Sequence, residues 1–379
     1  MNSPNRQTPF VGIDCLSLPR HFSGAAKYIL HLTRNILQSR RDLPLAVLCR
    51  PQHIALFADY LSPQDKLVPL TVRSRAQLLW RYEFSLPKLL QREQIRIFHA
   101  THYLCPPAGP HYQTISTFHD MGFVRFPHWY PRIKMLYFKR KIPVFLNRAS
   151  RIIAVSRNTG KDIVAAYPRT ASKVEVLHPG TDHLEAAGIR ASRPAQPFIL
   201  SVNSYEKRKD ISFLLKVFNR LKKKYFLPHR LILVGQPGND YQNILRARQK
   251  SPCAADIELR KSIPDRELIR LYQTADMFIS ASSFEGFGFT PFEALRFGLP
   301  TFLFRHAVVE ELLPRHPYIL EHKEPEQWAA LIATAFLKNY PEKFPAFPAA
   351  QLTWRNCARQ VCEIYQSMRN ERTATIVPG

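Results

Sequence analysis

Two carboxylates with seven residues between them, Glu285 and Glu293, bracket a glycine-rich turn, Glu-Gly-Phe-Gly-Phe-Thr-Pro-Phe-Glu. Asp276-Met-Phe-Ile-Ser280 ahead of it reads as a buried strand, and Thr290-Pro-Phe-Glu293 reads as a helix start. Thr290 is placed to cap that helix, Pro291 suits its first position, and Glu293 completes a capping box. Gly298 and Pro300 then stop it. The product is strand, glycine loop and helix N-terminus. At that edge of an open α/β sheet, backbone amides and the helix dipole favour an anionic ligand. Gly286 and Gly288, on either side of Phe287, let the backbone approach such a ligand closely. Glu285 is expected to project from the loop and Glu293 from the first turn, both toward one crevice. The plainer alternative makes Glu293 a capping residue and Glu285 a loop carboxylate.

A second cluster, Asn203-Ser-Tyr-Glu-Lys-Arg-Lys-Asp210, follows an expected strand and precedes an expected helix. Arg208 and Lys209 there would clamp a diphosphate, because fixed charge, guanidinium fork and backbone amides converge. A solvated basic turn is the alternative in so basic a chain. Phe118-His119-Asp120 ends another strand, and an imidazole at that point suits a hydroxyl or leaving oxygen needing a partner that both donates and accepts. Asp120 orients His119 or caps a turn. Gly24, in Ser23-Gly-Ala-Ala-Lys-Tyr28, is either an ordinary turn residue or a point of close backbone approach.

The stretch from Phe284-Glu-Gly-Phe-Gly to Pro-Phe-Glu-Ala-Leu-Arg-Phe-Gly-Leu-Pro300 resembles the donor-site signature of retaining nucleotide-sugar glycosyltransferases with the GT-B fold, in the large family 4 (GT4). The resemblance covers nearly the whole chain. It implies an α/β architecture of two doubly wound Rossmann-like domains facing a cleft. It implies that Glu285 contacts the transferred sugar, that Glu293 holds the ribose hydroxyls, and that Gly286, Phe287 and Gly288 line the donor. Asn203–Asp210 is similar to the family's phosphate-binding segment, which gives Arg208 and Lys209 the leaving diphosphate. His119 and Asp120 would then lie beside the sugar, Gly24 near the donor phosphates, and Ile263 beside the base. Asn203 stands where Gly is usual, Lys207 where Pro is usual, and Ala26 replaces a second Gly. His306-Ala-Val-Val-Glu-Glu311 replaces Ser-Ser-Leu-Pro-Glu, with Glu311 matching.

The family mechanism that follows is electrostatic, with cations and helix N-termini stabilising the leaving diphosphate, so neither a metal nor another cofactor is expected. Front-face attack by the acceptor hydroxyl, with the leaving phosphate as base, is implied by the same resemblance. The Glu-Lys-Arg-Lys-Asp variant resembles mannosyltransferases of surface polysaccharide assembly. GDP-mannose is therefore the first expected donor and a UDP-sugar the second, with a glycan or lipid-linked acceptor. A sugar-nucleotide epimerase and a non-catalytic binding subunit are the rivals.

The elements that must position these residues alternate. Phe10–Asp14, Leu45–Arg50, Ile95–Ala100, Thr114–His119 and Arg151–Val155 read as strands, with helices over 25–40 and 131–148, the latter expected to kink at Pro143. Ser156 caps a further helix. A second series runs from strand Phe198–Val202 through helices near 210–223, 240–250 and 264–274. Such alternation predicts parallel sheets covered by helices. The expected organisation is an acceptor-side domain over 1–182, a linker over 183–197, and a donor domain over 198–350. A C-terminal helix in 351–379 is expected to cross back to the first domain.

Composition limits the remaining classes. Six scattered cysteines without a Cys-x-x-Cys spacing predict reduced thiols, with neither a disulfide framework nor a zinc site. The N-terminus lacks the apolar stretch of a secretion signal, and no apolar run approaches a membrane span. A cytoplasmic enzyme, peripheral at the inner membrane face, is the expectation. Net charge is +25, uneven along the chain: 26 Lys+Arg against 10 Asp+Glu over 1–182, and 28 against 19 beyond. No nucleic-acid signature accompanies it, which favours anionic lipid or a phosphorylated acceptor as partner. Between Arg125 and Lys141, six basic residues interleave with Phe126, Trp129, Tyr130, Tyr137 and Phe138. That segment reads either as an interfacial membrane element or as a helix whose aromatics pack on the sheet.

Overall fold

The computed structural model describes residues 10–19, 24–39, 43–184, 194–338 and 347–376. Short apolar runs rich in Val, Ile, Leu and Phe form thirteen strands among these residues. Seven belong to the first sheet: β1 (Val11–Asp14), β2 (Leu45–Cys49), β3 (Lys66–Pro69), β4 (Ile97–Ala100), β5 (Gln113–Phe118), β6 (Arg151–Ala154) and β7 (Val174–Val176). Six form the second: β8 (Phe198–Val202), β9 (Arg230–Val234), β10 (Ile257–Arg260), β11 (Met277–Ser280), β12 (Thr301–Phe304) and β13 (Ile319–Leu320). The orders are β3-β2-β1-β4-β5-β6-β7 and β10-β9-β8-β11-β12-β13. Every pairing is parallel, in register Val11↔Leu45 and Val11↔Ile97 in the first sheet and Ile199↔Leu231 in the second. The central strands are buried on both faces, as helix-covered parallel sheets require. Both sheets are of the doubly wound Rossmann type. Strand order reverses at β1/β4 in one and at β8/β11 in the other, and ligands of such sheets bind beyond the carboxyl ends at those points.

Contacts divide the chain into a unit of residues 1–180 with 352–379 and a unit of 181–351. Helix Trp354–Ile376 therefore belongs to the first unit. It packs on helix Gly24–Gln38, with the Trp354 ring 6.0 Å from Tyr28 and 5.6 Å from His31. Tyr365 Oη lies 2.7 Å from buried His99 Nδ1. Gly180 allows this docking, because a Cβ there would sit 2.1 Å from the Trp354 amide nitrogen. The expected linker falls, over 185–193, outside the described residues. In the second unit, helices Ile211–Tyr225 and Pro325–Leu337 pack together, Phe213 edge-on to Trp328 at 5.2 Å.

Several segments escape the sequence pattern, the short edge strands β7 and β13 among them. β3 is a four-residue, half-buried edge strand ending in Pro69. Helix Arg75–Trp80 runs through a π turn, Arg81–Ser85, into helix Leu86–Arg92, so its apolar period is broken and Pro87 disguises it. Helix Pro325–Leu337 is another. Pro143 lies inside the continuous helix Arg132–Arg148.

Candidate functional site

Arg208 and Lys209 lie in the loop leaving β8, and Glu285 lies in the loop leaving β11. These strands are neighbours at the switch point of the second sheet, so topology alone brings the two segments together. A backbone bond from the Ser283 amide to the Arg208 carbonyl, 2.8 Å, ties the loops. Asp210 ends the short 3-10 turn Lys207–Lys209 in the left-handed region, φ 49°, and its carboxylate accepts from Lys323 at 2.7 Å. The turn is held from behind by Gly235: a Cβ there would lie 1.7 Å from the Asn203 carbonyl oxygen.

Glu285 does not project freely from its loop, contrary to the expectation from sequence. It is 8 % exposed and receives Arg208 Nη1 at 2.9 Å, Ser282 Oγ at 2.6 Å, and Lys209 Nζ in a short ion pair. Burial alone would raise its carboxyl, but Lys209 and Arg208 outweigh that and hold it well below the usual carboxylate range. Burial and Arg208 lower the Lys209 ammonium while Glu285 supports it. Arg208 also donates to Glu206 at 2.7 Å and to the Phe284 carbonyl at 3.1 Å. The clamp residues and the first signature carboxylate are thus one hydrogen-bonded cluster. Polar groups of opposite charge, held in place by a rigid sheet edge, can stabilise charge developing on a leaving group without reorganising.

The capping box is a second correction. Helix Phe289–Arg296 begins after Gly288, whose φ of 81° makes it the start of the helix, with no side-chain cap. A glycine is required there by conformation. Thr290 and Pro291 already lie within the first turn. Glu293 is instead 1 % exposed, with Oε1 2.8 Å from His183 Nε2 and Oε2 accepting from the Tyr272 hydroxyl at 2.8 Å. Tyr272 in turn stacks on Phe297 at 5.3 Å. Gly286 and Phe287 are buried, and Phe287 packs on Phe292 at 5.2 Å. Ile263 is half-buried in the loop before helix Asp265–Thr274. Ser282, His183, Tyr272 and Lys323 were not singled out from the sequence. Only Ser282 had a local signal, a hydroxyl in the strand-to-signature loop. His306, at the start of helix Ala307–Leu312, is pushed down to about 4 by burial, with Glu285 acting in the opposite direction.

In the first unit, His119 and Asp120 follow the carboxyl end of β5. His119 Nε2 is 2.9 Å from the Thr101 carbonyl oxygen. A carbonyl only accepts, so Nε2 carries the proton and Nδ1 of the neutral ring is an acceptor. Burial lowers the His119 pKa, while the Thr101 carbonyl and Asp120 pull it back up. Tyr28 meets the ring edge-on at 4.9 Å. Asp120 accepts from the Gly122 amide at 2.9 Å and so shapes the turn, one of the two roles its sequence allowed. Gly24 is the exposed first residue of helix Gly24–Gln38, and Ser23 lies outside the described residues.

Two family models divide the chain between them: Glyco_transf_4, "Glycosyltransferase Family 4", over residues 22–184, and "Glycosyl transferases group 1" over 185–345. The chain belongs to glycosyltransferase family 4. As a GT4 protein it is a nucleotide-sugar glycosyltransferase, and its two Rossmann-like units are those of the GT-B fold. The O-antigen chain mannosyltransferase B of Escherichia coli is 22% identical over 292 residues, covering 71% of this chain and 74% of that protein. The longer E. coli serotype-specific mannosyltransferase WbdA is 25% identical over 244 residues, 56% of this chain but only 29% of its own length. Among solved structures, WaaG, a glycosyltransferase involved in lipopolysaccharide biosynthesis, superposes with a TM-score of 0.64 at 14% identity, over 97% of this chain and 100% of that one. Anabaena HepE in complex with UDP-glucose gives 0.64 at 15% identity, over 96% and 99%. Among the described residues, no helix is long and apolar enough to cross a membrane.

Proposed function

We propose that this GT4 protein transfers a sugar, mannose from GDP-mannose first, with retention and without a metal, to a glycan or lipid-linked acceptor in surface polysaccharide or lipopolysaccharide assembly. The observation that carries the reading is the Glu285–Arg208–Lys209 cluster at the β8/β11 switch point. Two cations fixed there supply what a metal supplies elsewhere, charge opposite a departing diphosphate. Glu285, kept ionised by the same cations, orients sugar hydroxyls, and Glu293 serves the ribose. In the first unit, the neutral His119 ring, with Nδ1 as acceptor, is suited to a sugar hydroxyl. The acceptor hydroxyl attacks from the leaving-group face and passes its proton to the diphosphate oxygen that the sugar carbon releases. The choice of mannose is supported by the mannosyltransferase relatives.

Calorimetric titration with GDP and with UDP, without added metal, tests the donor. Saturable GDP binding supports GDP-mannose, UDP binding replaces it with a UDP-sugar, and silence from both removes the metal-free donor reading. The anomeric configuration of the product tests retention.

The enzyme is further proposed to work at the inner face of the cytoplasmic membrane, docked through the basic, aromatic segment 125–141. In support, Phe138 and Ile142 pack inward while Ile133 is 86% and Leu136 52% exposed beside Arg132 and Arg140. Apolar side chains outside a ring of cations suit an anionic interface. Flotation with anionic liposomes at low salt should recover the protein, and its absence there would remove the membrane from the reading.

A further inference from the structure

A cavity of about 300 Å³ lies wholly within the first unit and is lined by Leu16, Leu70, Leu86 and Leu89 below Arg81, Ser85, Lys88 and Arg92. Leu16 lies two residues past the carboxyl end of β1 and Leu70 directly follows that of β3, so the cavity lies at the edge of the sheet where open α/β proteins bind ligands. The π turn Arg81–Ser85 creates its polar wall. It sets Arg81, Ser85, Lys88 and Arg92 along one helix face, while Leu78, Tyr82 and Leu90 face the core. Wall and floor are pinned by one buried group: Asp14 accepts from the Leu16 amide at 2.9 Å and from the Tyr82 hydroxyl in a short bond.

The charge in this wall is only partly compensated. Arg92 pairs with Glu93 at 2.9 Å, but among the described residues neither Arg81 nor Lys88 has a carboxylate partner, Arg81 donating only to the Thr71 carbonyl at 3.1 Å. Four leucines under three cations is a pocket for a molecule with an anionic head and an apolar chain. Beside it, at the rim of the same helix, Trp80 and Phe84 are 56% and 59% exposed with rings 5.9 Å apart. Such rings suit a bilayer interface.

We propose that this cavity binds the phosphate head and first methylenes of a lipid phosphate, anchoring the acceptor. The role as acceptor site rests on the glycosyltransfer reading, whereas the binding itself does not. Dodecyl phosphate below its micellar concentration, titrated into the full chain, should bind saturably, and inorganic phosphate or dodecyl maltoside at least tenfold more weakly. Lys88→Glu should weaken dodecyl phosphate tenfold or more, and Leu89→Trp, which fills the cavity, should do the same while nucleotide titration shows both proteins folded. Equal affinity for inorganic phosphate would overturn the lipid assignment. Absence of dodecyl phosphate binding, or unchanged affinity in both variants, would overturn the site. Nucleotide binding without amphiphile binding sinks only this proposal, and amphiphile binding without nucleotide binding supports it while sinking the donor reading.

Discussion

The carboxyl edges of the two sheets treat charge in opposite ways. Beyond β8 and β11, Arg208 and Lys209 are matched against Glu206 and Glu285 in a buried or half-buried network. Beyond β1 and β3, the wall cations Arg81 and Lys88 face a leucine floor without a carboxylate partner among the described residues. The first edge is pre-organised and must exchange partners to admit a ligand. The second is unsatisfied and gains by binding an anion. The buried carboxylates differ in the same sense. Glu285 is held far down by adjacent cations, whereas burial, outweighing the Tyr82 hydroxyl and Leu16 amide, raises Asp14 from 3.8 to about 6.

Breaking the matched edge should give the largest effect. Glu285→Gln is expected to reduce sugar transfer by about 10²–10³-fold, the scale of losing one electrostatic stabiliser, and near-normal turnover would remove Glu285 from the mechanism. The same change leaves Lys209 buried without its counter-charge, a loss of roughly 3–5 kcal/mol for a broken buried pair. Adding Lys209→Met to the Glu285→Gln variant should recover much of it in denaturant melts.

The opposed carboxylates sharpen the contrast through pH. Because the folded-state pKa of Glu285 is depressed, its stabilisation is present above the ordinary value of 4.5 and is lost as pH falls below it. Asp14 is raised, so its contribution is full below 3.8 and is lost as pH climbs through about 6. That shift corresponds to about 3 kcal/mol. Melts from pH 3 to 7 should show the stability gap between wild type and Glu285→Gln opening with rising pH. The gap between wild type and Asp14→Asn should run the other way. Parallel slopes would mean that the two sites are not electrostatically distinct.

A smaller effect is expected at Tyr272→Phe, which removes the hydroxyl that donates to Glu293 Oε2 at 2.8 Å. A cost of about 1–3 kcal/mol follows for losing a buried hydrogen bond to a carboxylate. An unchanged melting temperature would show that Glu293 finds another donor.

How much of this was legible in the chain varies by residue. Central strands such as β2 and β8 were readable because a strand buried on both faces is a continuous apolar run. β3 was not, since its pattern is only half-buried. The glycine loop, Arg208, Lys209 and Glu285 were legible as local chemistry at expected strand ends. Their mutual bonding was not, because Glu285 lies 76 positions beyond Lys209 and only the β8–β11 pairing joins them. Glu293 misled for a related reason: its spacing from Thr290 satisfies a capping rule, but His183 and Tyr272, distant in sequence, claim both its oxygens.

Periodicity and local chemistry are written in the chain and can be read from it directly. They encode two runs of alternating strand and helix, glycine turns at their ends, an excess of cations in the first half, and a family signature around Glu285. Which of those groups meet was settled by the three-dimensional arrangement. Strand order set the β8/β11 switch point, where Coulomb attraction in a poorly solvated loop pairs Glu285 with its clamp. It also set the β1/β3 edge, where a π turn leaves cations over leucines. Neither arrangement is a property of any contiguous segment, because burial and partner choice arise only when strands far apart in the chain become neighbours.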